Sequence, residues 1–462
     1  MKPTRKRYNI LALIFITVVI NYLDRSNISV AAFALKDELD LSNVQLGIIF
    51  SAFAWTYSTL QIPGGIIVDR VRPRILYPII LTLWSVATLI QGFVSSLAAL
   101  VGCRAAIGIF EAPSYPCNNK IVTNWFPEKE RASAIAIYTS GQFIGLAFLT
   151  PTLVLIQSLL GWRGLFIVSG LIGIVWAVIW YLFYRDPQRH YSANQAELNY
   201  IKAGGGMVDA TDEGADSQND FEGIKIDYSD ANEAIIDSVQ EGYLPQSEQK
   251  EAEPSKKISW SDLKQAFSHR KLWGVYIGQF CLGSLFIFFL TWFPTYLVEY
   301  RGLDFIKSGF LASLPFLGAF VGVLLSGFTS DALVRQGYSN EVARKAPILV
   351  GMLLSMAIIG ANYTDDTALI ILFLSIAFFG NGLASIGWVF ISLLAPVRLI
   401  GLVGGVFNFI GGLSAVITPI VIGYLVDEDN FAPALFYIGA LAFLGFCSYL
   451  FLIGKVERVG DG

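Results

Sequence analysis

The chain has 462 residues, 54% of them apolar and only 15% charged, with a mean hydropathy of +0.57. A soluble domain carries about 25% charged residues, and the deficit is too large for a big buried core to explain. The net charge of −4 gives no signal for nucleic acid, and Cys103, Cys117, Cys281 and Cys447 all lie in apolar blocks without metal-ligand spacing.

The apolar residues fall into twelve blocks, at 9–32, 46–68, 75–96, 98–122, 132–157, 162–184, 271–296, 307–330, 346–363, 367–392, 399–425 and 432–454. A bilayer core asks for roughly 20 apolar residues per spanning helix. The first block is too long for the apolar region of a secretory signal and has no small-residue cleavage site after it, so it is expected to stay as the first span. A transmembrane β-barrel would instead alternate apolar and polar residues over short segments. Stretches such as Leu171 to Leu182 are apolar on every side, and continuous helices satisfy their own amides in lipid.

Basic residues cluster on alternate loops: Lys2, Arg5, Lys6 and Arg7 before the first span, Arg70, Arg72 and Arg74 after the second, Lys129 and Arg131 after the fourth. The loops on the other side hold little more than Lys36 and Arg163. Basic loops mark the cytoplasm, so both termini and the long central loop are expected there, in a multi-pass protein of the inner (plasma) membrane. Three regions result: a six-helix bundle over 1–185, a cytoplasmic loop over 186–270, and a second six-helix bundle over 271–462. Within the loop, 204–253 opens on three glycines and then runs acidic through Asp209, Asp212, Glu213, Asp216, Asp220, Glu222, Asp227 and Asp230. Few apolar residues and high charge predict a disordered, solvated tether.

The two bundles repeat. Gly65-Ile66-Ile67-Val68-Asp69 closes the second span and Gly327-Phe328-Thr329-Ser330-Asp331 the eighth, each followed by an arginine, Arg70 or Arg335. Gln142 with Gly145 and Thr150-Pro151 in the fifth span are matched by Asn408 with Gly411 and Thr418-Pro419 in the eleventh. Two six-helix repeats place a substrate site between the halves near the midplane. Asp69, Arg70 and Asp331 stand at cytoplasmic helix ends, where an aspartate can cap a helix or pair with an arginine across the interface. They are candidate gating residues, against the plainer alternative of topogenic charge.

Four ionisable residues lie inside apolar spans: Asp24 and Arg25 in the first, Arg104 and Glu111 in the fourth. Each costs about 2.5–3.5 kcal/mol at the bilayer centre, so each must face a cavity or a partner. Asp24 and Arg25 point roughly 100° apart on a helix, too far for a tight pair, whereas Arg104 and Glu111 share a face two turns apart. Arg104 is the candidate supporting charge, holding Glu111 or Asp24 in place. Proton relay within the membrane falls to carboxylates, because both histidines, His190 and His269, lie in the central loop. The second bundle offers neutral groups instead: Asn381, Ser385, Trp388 and Asn408. Ser385 and Trp388 share a helix face. Asn381 is also explained as interhelical glue.

The Gly65-x-x-x-Asp69-Arg70 pattern and its second copy resemble the major facilitator superfamily over nearly the whole chain. More narrowly, Asn21-Tyr22-Leu23-Asp24-Arg25-Ser26-Asn27 is similar to the first-helix motif of the anion:cation symporter family. So are Phe53-Ala54-Trp55, Gln61-Ile62-Pro63-Gly64-Gly65, Gly108-Ile109-Phe110-Glu111-Ala112-Pro113 and Trp125-Phe126-Pro127-Glu128-Lys129-Glu130-Arg131. Tyr138 to Phe143 and Gly404 to Phe409 look like the hexonate carriers of that family more than its glucarate and hexuronate carriers. Gly387 stands where that resemblance leads to a small hydroxylated residue.

The resemblance implies an all-α membrane protein of twelve transmembrane helices in two pseudo-symmetric bundles. It implies a monomeric carrier of a sugar-acid anion such as D-galactonate, or of a hexuronate, an unsaturated uronate or another organic anion. Its partners would be that small anion and the lipid bilayer, without nucleic acid. It would need no cofactor, with protons as the coupling ion. Carried over residue by residue, Arg25 would hold the substrate carboxylate, as a planar guanidinium suits. Asp24 and Glu111 would carry protons. Tyr22, Tyr57, Gln142, Ser385, Trp388 and Asn408 would line the pocket. No nucleophile triad, metal spacing or phosphate loop points to an enzyme.

Overall fold

The computed structural model describes residues 3–208, 260–396, 399–427 and 430–459. The acidic part of the predicted tether, 209–253, lies outside them.

The spans are helical. We number them α1 (Arg7–Glu38), α2 (Asn43–Thr59, continued by Gln61–Arg70), α3 (Pro73–Gln91) and α4 (Leu97–Glu111, continued by Ser114–Trp125). The continuous helical stretch Glu128–Phe183 holds two spans, because Gly161 has φ 69° and ψ 175° and turns the chain between them. That left-handed φ is open to glycine and strained for a side chain. We call its two parts α5 (128–160) and α6 (162–183). The second half follows as α7 (Arg270–Thr291), α8 (Phe305–Arg335), α9 (Asn340–Ser355, running on through Met356–Tyr363), α10 (Thr367–Leu383), α11 (Ile400–Leu425) and α12 (Ala432–Cys447).

Prolines set the interruptions. Pro63 has no N–H for the carbonyl of Thr59, and α2 breaks at Leu60. Pro113 breaks α4 just after Glu111. The two breaks meet: a side chain on Gly64 would stand 3.1 Å from the Pro113 backbone. In α10, a tight turn over Ala384–Gly387 separates the main helix from Trp388–Leu394.

The apolar belt faces outward. In α6, Leu171, Val175, Val178 and Leu182 form an exposed stripe at helical spacing, while Phe166 and Trp180 are fully buried against the bundle. Within the first half α1 packs on α5 through Gly141, against the Phe15 carbonyl, and α3 packs on α6 through Gly170 and Gly173.

The halves meet at the end where α1, α5, α7 and α11 finish. A side chain on Gly47 of α2 would overlap the Pro419 carbonyl of α11, and one on Gly309 of α8 would strike Val154 of α5. Lys36 Nζ lies 2.8 Å from Glu299 Oε2. Asn43 Nδ2 donates to the Val426 carbonyl at 3.1 Å. We call this the far face, and the opposite one, which holds both described chain ends, the termini face.

At the termini face the loop after α6 is more ordered than its composition implied. Helix Gln195–Ala203 docks on the first half, and Gly204 abuts Pro127 while Gly205 abuts Glu128. The predicted tether therefore begins no earlier than 209. The glycines that opened it are a helix end and a tight turn, Gly205 having φ 82°.

Candidate functional site

The four intramembrane charges come together, but not in the pairs that spacing favoured. Arg25 leaves its neighbour and takes Glu111: Nε donates to Oε1 at 2.8 Å, with Nη2 2.6 Å from the same oxygen. Asn21, one turn earlier on α1, donates to that oxygen at 2.9 Å. Arg104 does not bond Glu111. Its Nη1 donates to the Asp24 backbone carbonyl at 3.1 Å. The Asp24 carboxylate accepts from the indole of Trp84 on α3 at 3.1 Å. The roughly 100° between Asp24 and Arg25 thus sends one to α3 and the other to α4. Arg104 and Glu111 share a helix face but engage different residues of α1.

Asp24 and Glu111 are fully buried and Arg104 nearly so. The Arg25 side chain keeps 11% of its surface, so of the four charges it is the one in contact with open space. Aromatic faces enclose it, with its guanidinium carbon 5.0 Å from the Tyr22 ring centroid, 4.9 Å from Phe53 and 4.6 Å from Tyr57. Cation–π attraction compensates part of its charge without consuming its in-plane donors. A second anion can therefore share this guanidinium or displace Glu111 from it.

Tyr22 reaches across to α5, its hydroxyl donating to Gln142 Oε1 at 2.7 Å. Tyr22 and Phe143 meet Phe286 of α7, and Phe143 also meets Phe378 of α10, all edge to face. This aromatic layer belongs to both halves.

In the second half, Ser385, Trp388 and Asn408 are exposed. Trp388 rests on Phe407, ring centroids 4.9 Å apart, and on Gly404. Asn381 is buried and donates to the Leu282 carbonyl of α7 at 2.9 Å, which is the glue role. Gly387 is buried too: a side chain there would stand 2.9 Å from the Tyr449 hydroxyl. A hydroxyl at that position would meet Tyr449 within its own half.

Asp69 and Arg70 are exposed. Among the described residues neither forms an ion pair across the halves. Lys120 Nζ instead donates to the backbone carbonyls of Val68 and Asp69 at 2.6 and 3.1 Å. The Asp331 side chain lies outside the description. The cross-half pair that is present, Lys36–Glu299, closes the far face. Sequence reasoning missed Trp84, Asn21 and Glu299 as partners. A tryptophan in an apolar span carries no pattern, and Glu299 sits just past its predicted span.

The sequence signature of the Major Facilitator Superfamily matches residues 14–419. The chain is 50% identical over 459 residues to a D-galactonate transporter of Escherichia coli O6:H1, covering 99% of this chain and 98% of that one. It is 37% identical over 465 residues to a probable galactarate/D-glucarate transporter of Bacillus subtilis, covering 99% and 94%. Among solved structures, a bacterial homologue of the human lysosomal transporter Spinster superposes with a TM-score of 0.66 at 18% identity, covering 97% and 95%. The xylose transporter of Escherichia coli does so at 0.66 and 14%, covering 98% of each chain. This chain, whose described residues form the helices α1 to α12, is a membrane transporter and belongs to the Major Facilitator Superfamily.

Proposed function

We propose that the chain carries a hexonate, D-galactonate foremost, into the cytoplasm together with protons, as a monomer in the inner membrane. The observation that carries this reading is the Arg25–Glu111 pair: a guanidinium that keeps 11% of its side-chain surface exposed while its carboxylate partner is fully buried. A charge at membrane depth must face a partner or a cavity. When Glu111 takes a proton its oxygen gives up Arg25, and the planar fork accepts the substrate carboxylate in its place. Release runs in reverse, Glu111 reclaiming Arg25 as its proton departs. Asp24, held by Trp84 and backed by Arg104, is a second proton site that does not touch the anion. The names of the relatives support a sugar acid, and the 50% relative supports a hexonate over an aldarate.

The basic loops assign the termini face to the cytoplasm. The far face, closed by Lys36–Glu299 and by the Gly47–Pro419 contact, is then periplasmic. On that assignment the state is inward-facing: the halves meet at the far face, and among the described residues Asp69 and Arg70 form no ion pair across the termini face.

The test is a panel of hexonates, aldarates and hexuronates in proteoliposomes, read as accumulation under a pH gradient and as counterflow without one. D-galactonate is expected to lead both. A hexuronate or aldarate in first place would move the substrate, and accumulation indifferent to the gradient would remove the proton. Arg25→Ala is expected to lose every transport mode, and Arg25→Lys, which keeps charge but not the fork, to bind poorly. Binding that survives in Arg25→Ala would move the anion elsewhere.

A further inference from the structure

Beyond Asp24, the first half contains a file of polar side chains that no neighbour satisfies. Asp24 uses Oδ2 for Trp84 and leaves Oδ1 unpaired. Thr88, one turn past Trp84 on α3, faces the same carboxylate without closing a hydrogen bond. Asn27, one turn past Asp24 on α1, has neither its amide nitrogen nor its oxygen paired. Gln91, in the last turn of α3, has both side-chain polar atoms unpaired as well, and the Arg104 Nε on α4 has no acceptor. Asp24, Asn27, Thr88 and Gln91 all have 0% exposure.

The direction of this file is fixed. Helices α1 and α3 both run toward the far face and are joined by the Trp84–Asp24 hydrogen bond. Each step of Trp84, Thr88 and Gln91 climbs one turn, about 10 Å in all at 1.5 Å per residue. Gln91 ends immediately beneath the far-face turn, where Gly92 abuts the Arg163 carbonyl. Asp24 turns to Trp84 of α3 whereas Arg25 turns to Glu111 of α4, so the file leaves α1 on a different side from the Arg25 guanidinium.

Unmet polar atoms at membrane depth each cost about 1–3 kcal/mol, and ordered water lowers that cost by completing their bonds. We propose that this file is a hydrated proton route from the far face to Asp24, through the interior of the first half and separate from the substrate cavity. It rests on the proton-coupled reading above. The proton enters as hydronium, passes between waters held by Gln91, Asn27 and Thr88 through exchange of O–H bonds, and ends on Asp24 Oδ1. No bond to carbon changes and no electron moves. The amides position water and do not themselves relay. The charged groups in reach of Asp24 are Arg104 and Glu111, both from α4. Such a route lets Asp24 load while the substrate pathway is shut at that face.

The test is Thr88→Val with Gln91→Met, which keeps volume and removes the polar atoms. The full chain is reconstituted with a pH-sensitive dye inside the vesicles and offered D-galactonate, or the panel's preferred acid. Substrate-driven proton entry is expected to slow by roughly tenfold or more, with substrate affinity and counterflow at parental values. Thr88→Ser, which keeps the hydroxyl, is expected to retain the parental rate. If the double variant does not fold, Gln91→Met alone carries the same expectation. Parental proton entry in the double variant would overturn the route and leave proton coupling intact. A parent that moves no protons with substrate would overturn the coupling reading and the route with it. Loss of counterflow in Gln91→Met and Thr88→Ser alike would assign these groups to packing and also overturn it.

Discussion

The two halves share a skeleton and divide the chemistry. In the first, four charges lie on α1 and α4: Asn21 and Trp84 hold the two carboxylates, and three aromatic rings enclose Arg25. In the second, the corresponding depth offers Ser385, Trp388 and Asn408, all exposed and all neutral, beside the unwound turn of α10. The repeat preserved Thr-Pro in α5 and α11 but put it to different uses. Thr150 bonds its own helix at the Leu146 carbonyl, whereas Thr418 donates to Ser284 of α7. Intramembrane charge needs partners from several helices at fixed distance, so it stays in one rigid bundle. Neutral hydroxyls and amides tolerate exposure and can meet a sugar as the halves move.

The strongest way to break this contrast is to neutralise the carboxylates. Asp24→Asn and Glu111→Gln copy the protonated forms, and in both, accumulation driven by a pH gradient is expected to fall to the leak. Counterflow is expected to survive in at least one, because exchange needs only the loaded carrier to reorient. Glu111→Gln should also free Arg25 from a charged hydrogen bond worth about 1.5–3 kcal/mol, tightening anion binding and removing its pH dependence. If both variants accumulate substrate like the parent, the charges serve packing and the halves do not divide labour.

The complementary change is Ser385→Ala or Asn408→Ala. Losing one neutral hydrogen bond costs about 1 kcal/mol, so the half-saturating substrate concentration should rise about fivefold. The proton dependence should not move. A change in proton-to-substrate ratio would show that the second half also handles charge.

The charges were legible in the sequence because their cost in lipid demands an explanation, and the halves were legible because Gln142 to Pro151 and Asn408 to Pro419 repeat. What spacing could not give was the partner across a helix boundary. Two turns between Arg104 and Glu111 define one face of α4, but which residue of α1 lies opposite depends on packing through Gly64, Gly108 and Gly173. Trp84, Thr88 and Gln91 fall at helical spacing, yet each alone reads as an ordinary polar break in an apolar span. The docked helix Gln195–Ala203 lies in the central loop ahead of the acidic stretch, where no apolar block marks it. Its glutamate is buried, which composition cannot reveal.

Where the halves touch, the contrast can be sharpened by charge reversal. Lys36 and Glu299 are partly exposed at the far face, so their pair should contribute about 0–1 kcal/mol. That is enough to shift the balance between inward- and outward-facing states by up to about fivefold. Lys36→Glu should make a cysteine introduced near Asn43 more accessible from the far face, and adding Glu299→Lys should restore protection. Accessibility unchanged in the single variant would show that the Gly47–Pro419 and Asn43–Val426 contacts hold the face closed alone.

The smallest effect on transport is expected at the strap on the termini face, which lies within the first half. Glu197 is fully buried. It accepts from the Thr4 hydroxyl, from the backbone N–H groups of Lys6 at 2.9 Å and Arg7 at 3.2 Å, and from the Arg7 guanidinium at 3.3 Å. Burial alone would push its carboxyl up, but these donors together hold it below the ordinary glutamate value. A carboxyl that is more acidic folded than unfolded binds fewer protons in the folded state. Its contribution is therefore complete above the ordinary glutamate range and fades as pH falls through it and toward the lowered folded value. Glu197→Gln keeps one acceptor oxygen and loses the charge, while Arg7 retains Glu130 at 2.9 Å. Thermal stability near neutral pH should drop by about 1.5–3 kcal/mol, the scale of a hydrogen bond to a charged group. The gap between variant and parent should close in acid. Accumulation and counterflow should both match the parent, since the strap ties the start of α1 to α5 and does not reach the other half. A selective loss of accumulation would mean that the first half flexes during transport, and that its charges are not held by a rigid bundle.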